Sequence, residues 1–259
     1  MNRLLQPAPD GPIRILGKVV WLELLRRRDL AVLLILMGVF ALASAAFRLA
    51  GIENPETATF LTNLGLTLAW AFAHILTLLL AARQFPSEIE SRTLHPVLAR
   101  PASRTQVLIA KVVACAGCGI LSYFVLAAIA WVSVPRLEVF HADSFAQLII
   151  AQAASLGLLA TLAVVGSLLA PQGVVVVLAA LLVFAGGPLA GILHNQLGRS
   201  GDLLAGWLPA FHQLNLTTRF TDGVDPASAG EMLPLLAHSA LCAAALLWIG
   251  ARAFDRRRL

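Results

Sequence analysis

Charge is what this sequence has least of. Only 13% of its 259 residues are Asp, Glu, Lys or Arg, where a soluble domain carries roughly a quarter. With 59% hydrophobic residues and a mean hydropathy of +0.82, that scarcity excludes a soluble globular domain, a disordered chain and a nucleic-acid-binding module. Cysteine is scarce as well. Cys115, Cys118 and Cys242 all sit inside apolar runs, so there is no disulfide framework. Signatures of catalysis are missing: the sequence has no G-x-S-x-G elbow and no H-E-x-x-H pair. The nearest approach to a P-loop, Gly11 to Lys18, has one residue too many between its glycines and lacks the Ser or Thr. The expectation is a chain with no catalytic residue, no bound metal and no cofactor of its own.

What is present is apolar length. A helix needs about 20 apolar residues to cross the hydrocarbon core. Six candidate spans follow, at 30–47, 59–82, 112–134, 145–170, 174–193 and 233–251. Pro171, Gln172 and Gly173 alone separate the fourth from the fifth, which predicts a tight antiparallel hairpin. Gly186, Gly187 and Pro188 predict an interruption within the fifth. No cleavable signal peptide is expected ahead of the first. The spans hold almost no ionisable side chains, whereas an ion-coupled carrier keeps charges within the membrane. His74 and His238 are the exceptions, and both read as hydrogen-bonded packing or interfacial histidines. Cys115-Ala-Gly-Cys118 has the spacing of a metal or redox site, but no second pair complements it, and its small residues suit close helix packing. Asn215-Leu216-Thr217 matches a glycosylation acceptor, a pattern common by chance.

The net charge is +5, and the placement of the basic residues sets the orientation. With the amino terminus in the cytoplasm, fifteen of the nineteen Lys and Arg lie inside; only Arg48, Arg136, Arg199 and Arg219 lie outside. Both termini are therefore expected to be cytoplasmic. The single all-α transmembrane domain, 1–259, then has a cytoplasmic arm at 1–29, a cytoplasmic loop at 83–111 and a long external loop at 194–232. In the arm, Ile13, Leu16, Val20 and Leu24 follow helical 3/4 spacing, with Arg14 and Lys18 on another face. That pattern predicts an amphipathic interfacial helix, with Arg26, Arg27 and Arg28 at the headgroups.

The loop at 83–111 carries the most pattern. Pro86 can open a helical turn with Glu88 and Glu90 near its positive end. Thr93 can cap a second turn that tolerates Pro96, and Ser103 can cap the third span. A short helix against the membrane face results, with Glu88, Glu90, Arg92 and Arg100 exposed and Leu94, Val97 and Leu98 turned to apolar surface. By residue pattern alone, a plain interfacial connector is an equal reading.

The run Glu88-x-Glu90-x-x-Thr93-Leu94-x-Pro96-x-Leu98-x-Arg100-Pro101-x-Ser103-Arg104, followed by Val107-Leu108-Ile109-x-Lys111, resembles the E-x-E-x-x-T … P-x-S-R … G-K signature of ABC-2-type transporter permeases. It is most similar to a branch around multicopper-enzyme maturation and gliding motility. Ala110 stands where that family often has Gly. The resemblance implies a six-span permease acting as a dimer, identical or paralogous, in the bacterial cytoplasmic (inner) membrane, moving a substrate outward. It implies ATP and Mg bound by a separate ATPase subunit, and a coupling helix that docks on that subunit through Glu88, Glu90, Arg92, Thr93, Leu94, Arg100 and Arg104. The amino-terminal segment, with Arg14, Lys18, Trp21, Arg26, Arg27 and Arg28, would be the interfacial connecting helix. The external loop around Trp207 to Leu216 would hold short outer or re-entrant helices, although a bland surface loop fits the residues equally well. Two rivals remain: a non-transporting anchor that passes force from an ATPase to another assembly, and an intramembrane enzyme built on His74, His238 and Cys242.

The orientation is directly testable. In a background without native cysteines, a cysteine at position 95 should react with a membrane-impermeant maleimide only in inside-out vesicles, and one at position 200 only in intact cells. The opposite pattern refutes the orientation.

Overall fold

The computed structural model describes residues 28–50, 54–86, 104–133 and 142–256. Every regular element among them is helical: α1 (Arg28–Leu49), α2 (Pro55–Ala82), α3 (Arg104–Ser133), α4 (Ala142–Leu169), α5 (Gln172–Phe184), α6 (Gly186–Leu197), α7 (Arg199–Trp207), α8 (Thr217–Thr221) and α9 (Ala229–Arg256). By length and composition α2, α3, α4 and α9 can cross a bilayer, and α5 with α6 makes a fifth crossing if the bent pair is one span. The first expected span, 30–47, is helical, but its described apolar stretch, Ala31–Phe47, is shorter than the other four. Four or five helices thus meet the test where six spans were expected.

Local chemistry explains the boundaries. Pro55 opens α2 in the first turn, where its missing N–H costs nothing, and Glu56 sits at the positive end of the helix dipole. Pro171 ends α4 because it cannot continue the backbone ladder. Its carbonyl then accepts from Val174 and Val175, so α5 starts at once and folds back along α4. At Ala185 the fifth span bends by 72°. Pro188 falls in the first turn of α6, which needs no N–H there. The interruption expected at Gly186-Gly187-Pro188 is present. Between α6 and α7 the backbone turns at Gly198, whose φ of 53° favours glycine. A Cβ at Gly201 would strike the Leu193 carbonyl, so the two helices form a tight hairpin.

Helix α4 is the centre of the bundle, packed on α2, α3, α5, α8 and α9. Lipid tails are as apolar as leucine, so contact quality holds such helices together more than escape from water does. Small residues let the backbones close. Gly65 of α2 leaves room for Phe40 of α1 and Ala130 of α3, and Gly250 of α9 leaves room for Val165 of α4 and Leu108 of α3. Helix α1 buries one stripe at 3/4 spacing, Leu33, Met37, Phe40 and Ser44, and exposes Ile35, Val39 and Leu42. Cys115 and Cys118 are buried within the core, in keeping with a packing role.

Gly119 marks a close approach of α2 and α3, because a Cβ there would overlap the Thr77 hydroxyl. At Gly117, two residues earlier on the same helix, a Cβ meets nothing within 4 Å. Gly119→Leu should destabilise the protein by about 1–3 kcal/mol through overpacking, while Gly117→Leu should not. Thermal unfolding of both variants in detergent is the measurement.

Candidate functional site

At the end of the bundle where most basic residues lie, three helices are tied at one point. The turn following α2 brings in Gln84 and Phe85, α3 begins with Arg104, and α9 ends with Phe254 and Asp255. Arg104 Nη1 donates to the Phe254 carbonyl at 2.8 Å and to the Asp255 carbonyl at 3.3 Å. The last carbonyls of a helix have no intrahelical partner and carry its negative end, so a guanidinium there satisfies both needs. The same guanidinium lies 5.7 Å from the centre of the Phe254 ring. Phe85 meets that ring edge-on at 5.3 Å, a contact worth about 0.5–1.5 kcal/mol beyond its area. Both rings are wholly buried.

Lys111 completes the cluster from two turns inside α3. It is 1% exposed. Its ammonium lies 3.4 Å from both the main-chain carbonyl and the side-chain oxygen of Gln84, and 5.1 Å from the centre of the Phe85 ring. The oxygen contacts are long for hydrogen bonds, so the ring face supplements them. Residues 83–111 are therefore rooted at both ends: Phe85 and Arg104, on either side of 87–103, both close on Phe254.

Of the docking residues read from sequence, Arg104 is in this cluster. Glu88, Glu90, Arg92, Thr93, Leu94 and Arg100 lie outside the described residues, as do Arg14, Lys18, Trp21, Arg26 and Arg27 of the interfacial helix. Arg28 begins α1, and its side chain is outside the description. Sequence reading missed Gln84, Phe85 and Phe254, and did not place Lys111 among the docking residues. Lys111 did carry a signal, as the closing residue of the loop signature. Phe254 carried none, being an unremarkable apolar residue 150 positions from Arg104.

The polar side chains of α4 turn inward. His74 Nδ1 is 2.8 Å from the Trp70 carbonyl, which can only accept, so this nitrogen carries the proton. Its Nε2 then accepts from the Ser155 hydroxyl at 2.8 Å. Thr161 and Ser167 donate to carbonyls of their own helix. Gln152, 1% exposed, has neither end of its amide hydrogen-bonded among the described residues, and the same holds for the Trp70 indole N–H. His238 Nε2 is 3.2 Å from the Leu208 carbonyl and 3.5 Å from Cys242 Sγ. His74, bonded to Ser155 between α2 and α4, does not join that pair, and no group of three metal-ligating side chains occurs among the described residues.

The opposite end of the bundle is closed by the long segment after α7. Gln147 of α4 donates to the Ala227 carbonyl and accepts from its N–H, both at 2.8 Å. Phe220 of α8 packs against Trp131 and Phe145. Asn215 accepts from both the hydroxyl and the N–H of Thr217, so this side chain is engaged in the local turn. The segment expected as an external loop at 194–232 is thus largely folded and pinned, and it contains α7 and α8.

A charge-poor helical bundle with four or five helices long and apolar enough to cross a bilayer is a multi-pass membrane protein. The family described as "ABC-2 family transporter protein" matches residues 20–194. The chain belongs to that family and is a permease component of an ABC transporter. Among curated proteins no relative matches it.

Arg104→Ala strips two carbonyls at the end of α9 of a charged donor. Such hydrogen bonds contribute about 1.5–3 kcal/mol, reduced where the group is partly exposed. The variant should lower the unfolding temperature in detergent and increase hydrogen exchange in the last turn of α9, leaving the exchange of α8 unchanged.

Proposed function

We propose that this permease works as a dimer, with an identical or paralogous partner, in the bacterial cytoplasmic membrane. A separate ABC ATPase binds ATP and Mg and docks on residues 83–111 through Glu88, Glu90, Arg92, Thr93, Leu94 and Arg100. The chain performs no covalent chemistry and holds no cofactor. The segment with Arg14, Lys18, Trp21, Arg26, Arg27 and Arg28 lies along the cytoplasmic headgroups. The branch implied by the loop signature, around multicopper-enzyme maturation and gliding motility, and the outward direction are part of the same proposal.

One observation carries the reading: both roots of the docking segment close on the last turn of α9. A push on that segment therefore moves α2, α3 and α9 together instead of bending one helix. Nucleotide binding can shift such a two-state element only if the ATPase grips one state more tightly than the other. A rigid root is what lets that difference reach the membrane.

The inward-turned polar groups of α4 favour a second reading. Ser155, Thr161 and Ser167 are spent on partners within the protomer, which leaves little side-chain chemistry for a hydrophilic pathway. This suits an apolar substrate, or a membrane anchor that passes force to another assembly and transports nothing.

Two variants separate docking from transmission. Glu88→Lys or Glu90→Lys should abolish co-purification with the cognate ATPase. Arg104→Ala should leave co-purification intact but reduce stimulation of ATP hydrolysis about tenfold, a loss of about 1.4 kcal/mol of coupling. Normal assembly and turnover in Glu88→Lys would refute the docking surface. Normal stimulation in Arg104→Ala would refute the clamp as the transmitting element.

A further inference from the structure

The bend in the fifth span encloses a cavity that the coupling scheme does not use. Its volume is about 330 Å³, at the lower end of the usual range for small-molecule sites. Leu182, Leu189, Leu208 and Pro209 form apolar walls, while His212, Gln213 and His238 bring polar side chains to the same space. The shape is imposed by the break itself. His212 packs over Gly187, where a Cβ would lie 3.4 Å from its own Cβ, and His238 holds the Leu208 carbonyl. Among the described residues, no Asp, Glu, Lys or Arg lines the space. Partial burial holds the His212 imidazole below its ordinary pKa, which favours the neutral form.

The surroundings indicate where a ligand comes from. On the α6–α7 hairpin that borders the cavity, Ile192, Leu197 and Trp207 are exposed. In a membrane protein such side chains face lipid, and a Trp marks the headgroup boundary. A space of on the order of ten water volumes holds one chain segment with a small head and excludes a two-chain lipid. The described lining residues give an anionic head no Lys or Arg as counterion, and burying an unpaired charge is costly. The imidazole and amide groups instead offer hydrogen-bonding partners to a hydroxyl or ester.

We propose that this cavity binds a single-chain amphiphile with an uncharged, hydrogen-bonding head, taken laterally from the bilayer. This is independent of ATPase docking, since binding at the bend requires no nucleotide. The probe is a diazirine-bearing monoacylglycerol, added to the full chain in phospholipid nanodiscs, with labelled peptides mapped by mass spectrometry. Saturable labelling should concentrate at 182–190 and 206–213, and unlabelled monoacylglycerol should displace the probe while an anionic lysophospholipid does not. Gly206→Leu and Ala190→Leu narrow the cavity from two helices, and a Cβ at Gly206 meets no neighbour within 4 Å. Either should cut labelling about tenfold, equivalent to 1.4 kcal/mol. Non-saturable labelling spread equally over α1 would overturn the proposal, as would labelling unchanged in both variants. Equal displacement by the anionic lipid would overturn the uncharged-head assignment on the wild-type chain alone.

Discussion

In hydrocarbon a backbone amide has no water to fall back on, so each interruption of a helix must be satisfied by protein. This constraint organises the molecule. At Pro171 the freed positions are taken up at once by the opening turn of α5. At Ala185 the ladder closes on both sides of the bend: its N–H donates to Leu181 and its carbonyl accepts from Leu189. Phe184, just before the bend, lies edge-on to Trp70 at 5.4 Å. The segment after α7 returns across the break and places His212 on the two glycines. A bend in this position is sustained by what packs around it, which is why the cavity and the folded segment after α7 occur together.

The same rule at the basic end produces the clamp. The last carbonyls of α9 need donors, and Arg104 supplies them from the start of another helix. Anchoring a loop by a cap ties its movement to the backbone of the helix it caps. Buried rings at Phe85 and Phe254 then leave little space for the joint to slip, since cores are bistable more readily than they are compliant. Lys111 shows how far a charge can be drawn inward when a carbonyl, an amide oxygen and a ring face await it.

Between these ends the bundle is held by close contact more than by polar bonds. Gly65, Gly119 and Gly250 mark where neighbouring helices approach within reach of a methyl group. Gln152 and Trp70 stand out against this background as buried polar groups without hydrogen-bond partners among the described residues. They lie about one helical turn from the His74–Ser155 bond on α4 and α2 respectively, so the α2–α4 interface combines a satisfied and an unsatisfied polar layer.

Much of this was legible from the order of residues. Hydrophobic length exposed the membrane class, Pro171 and the Gly186-Gly187-Pro188 run located two breaks, and the Glu88 to Lys111 signature identified the family, because each of these is a local property of neighbouring residues. The sequence did not reveal that Arg104 caps a helix 150 positions away, that Lys111 is buried, or that the polar face of α4 turns inward. Nor did it distinguish a pinned segment at 208–228 from a loop. Those outcomes depend on which helices meet and in what rotation. Small-residue contacts and cap partners decide that in three dimensions, while a hydropathy pattern, nearly uniform around each span, leaves helix rotation unspecified.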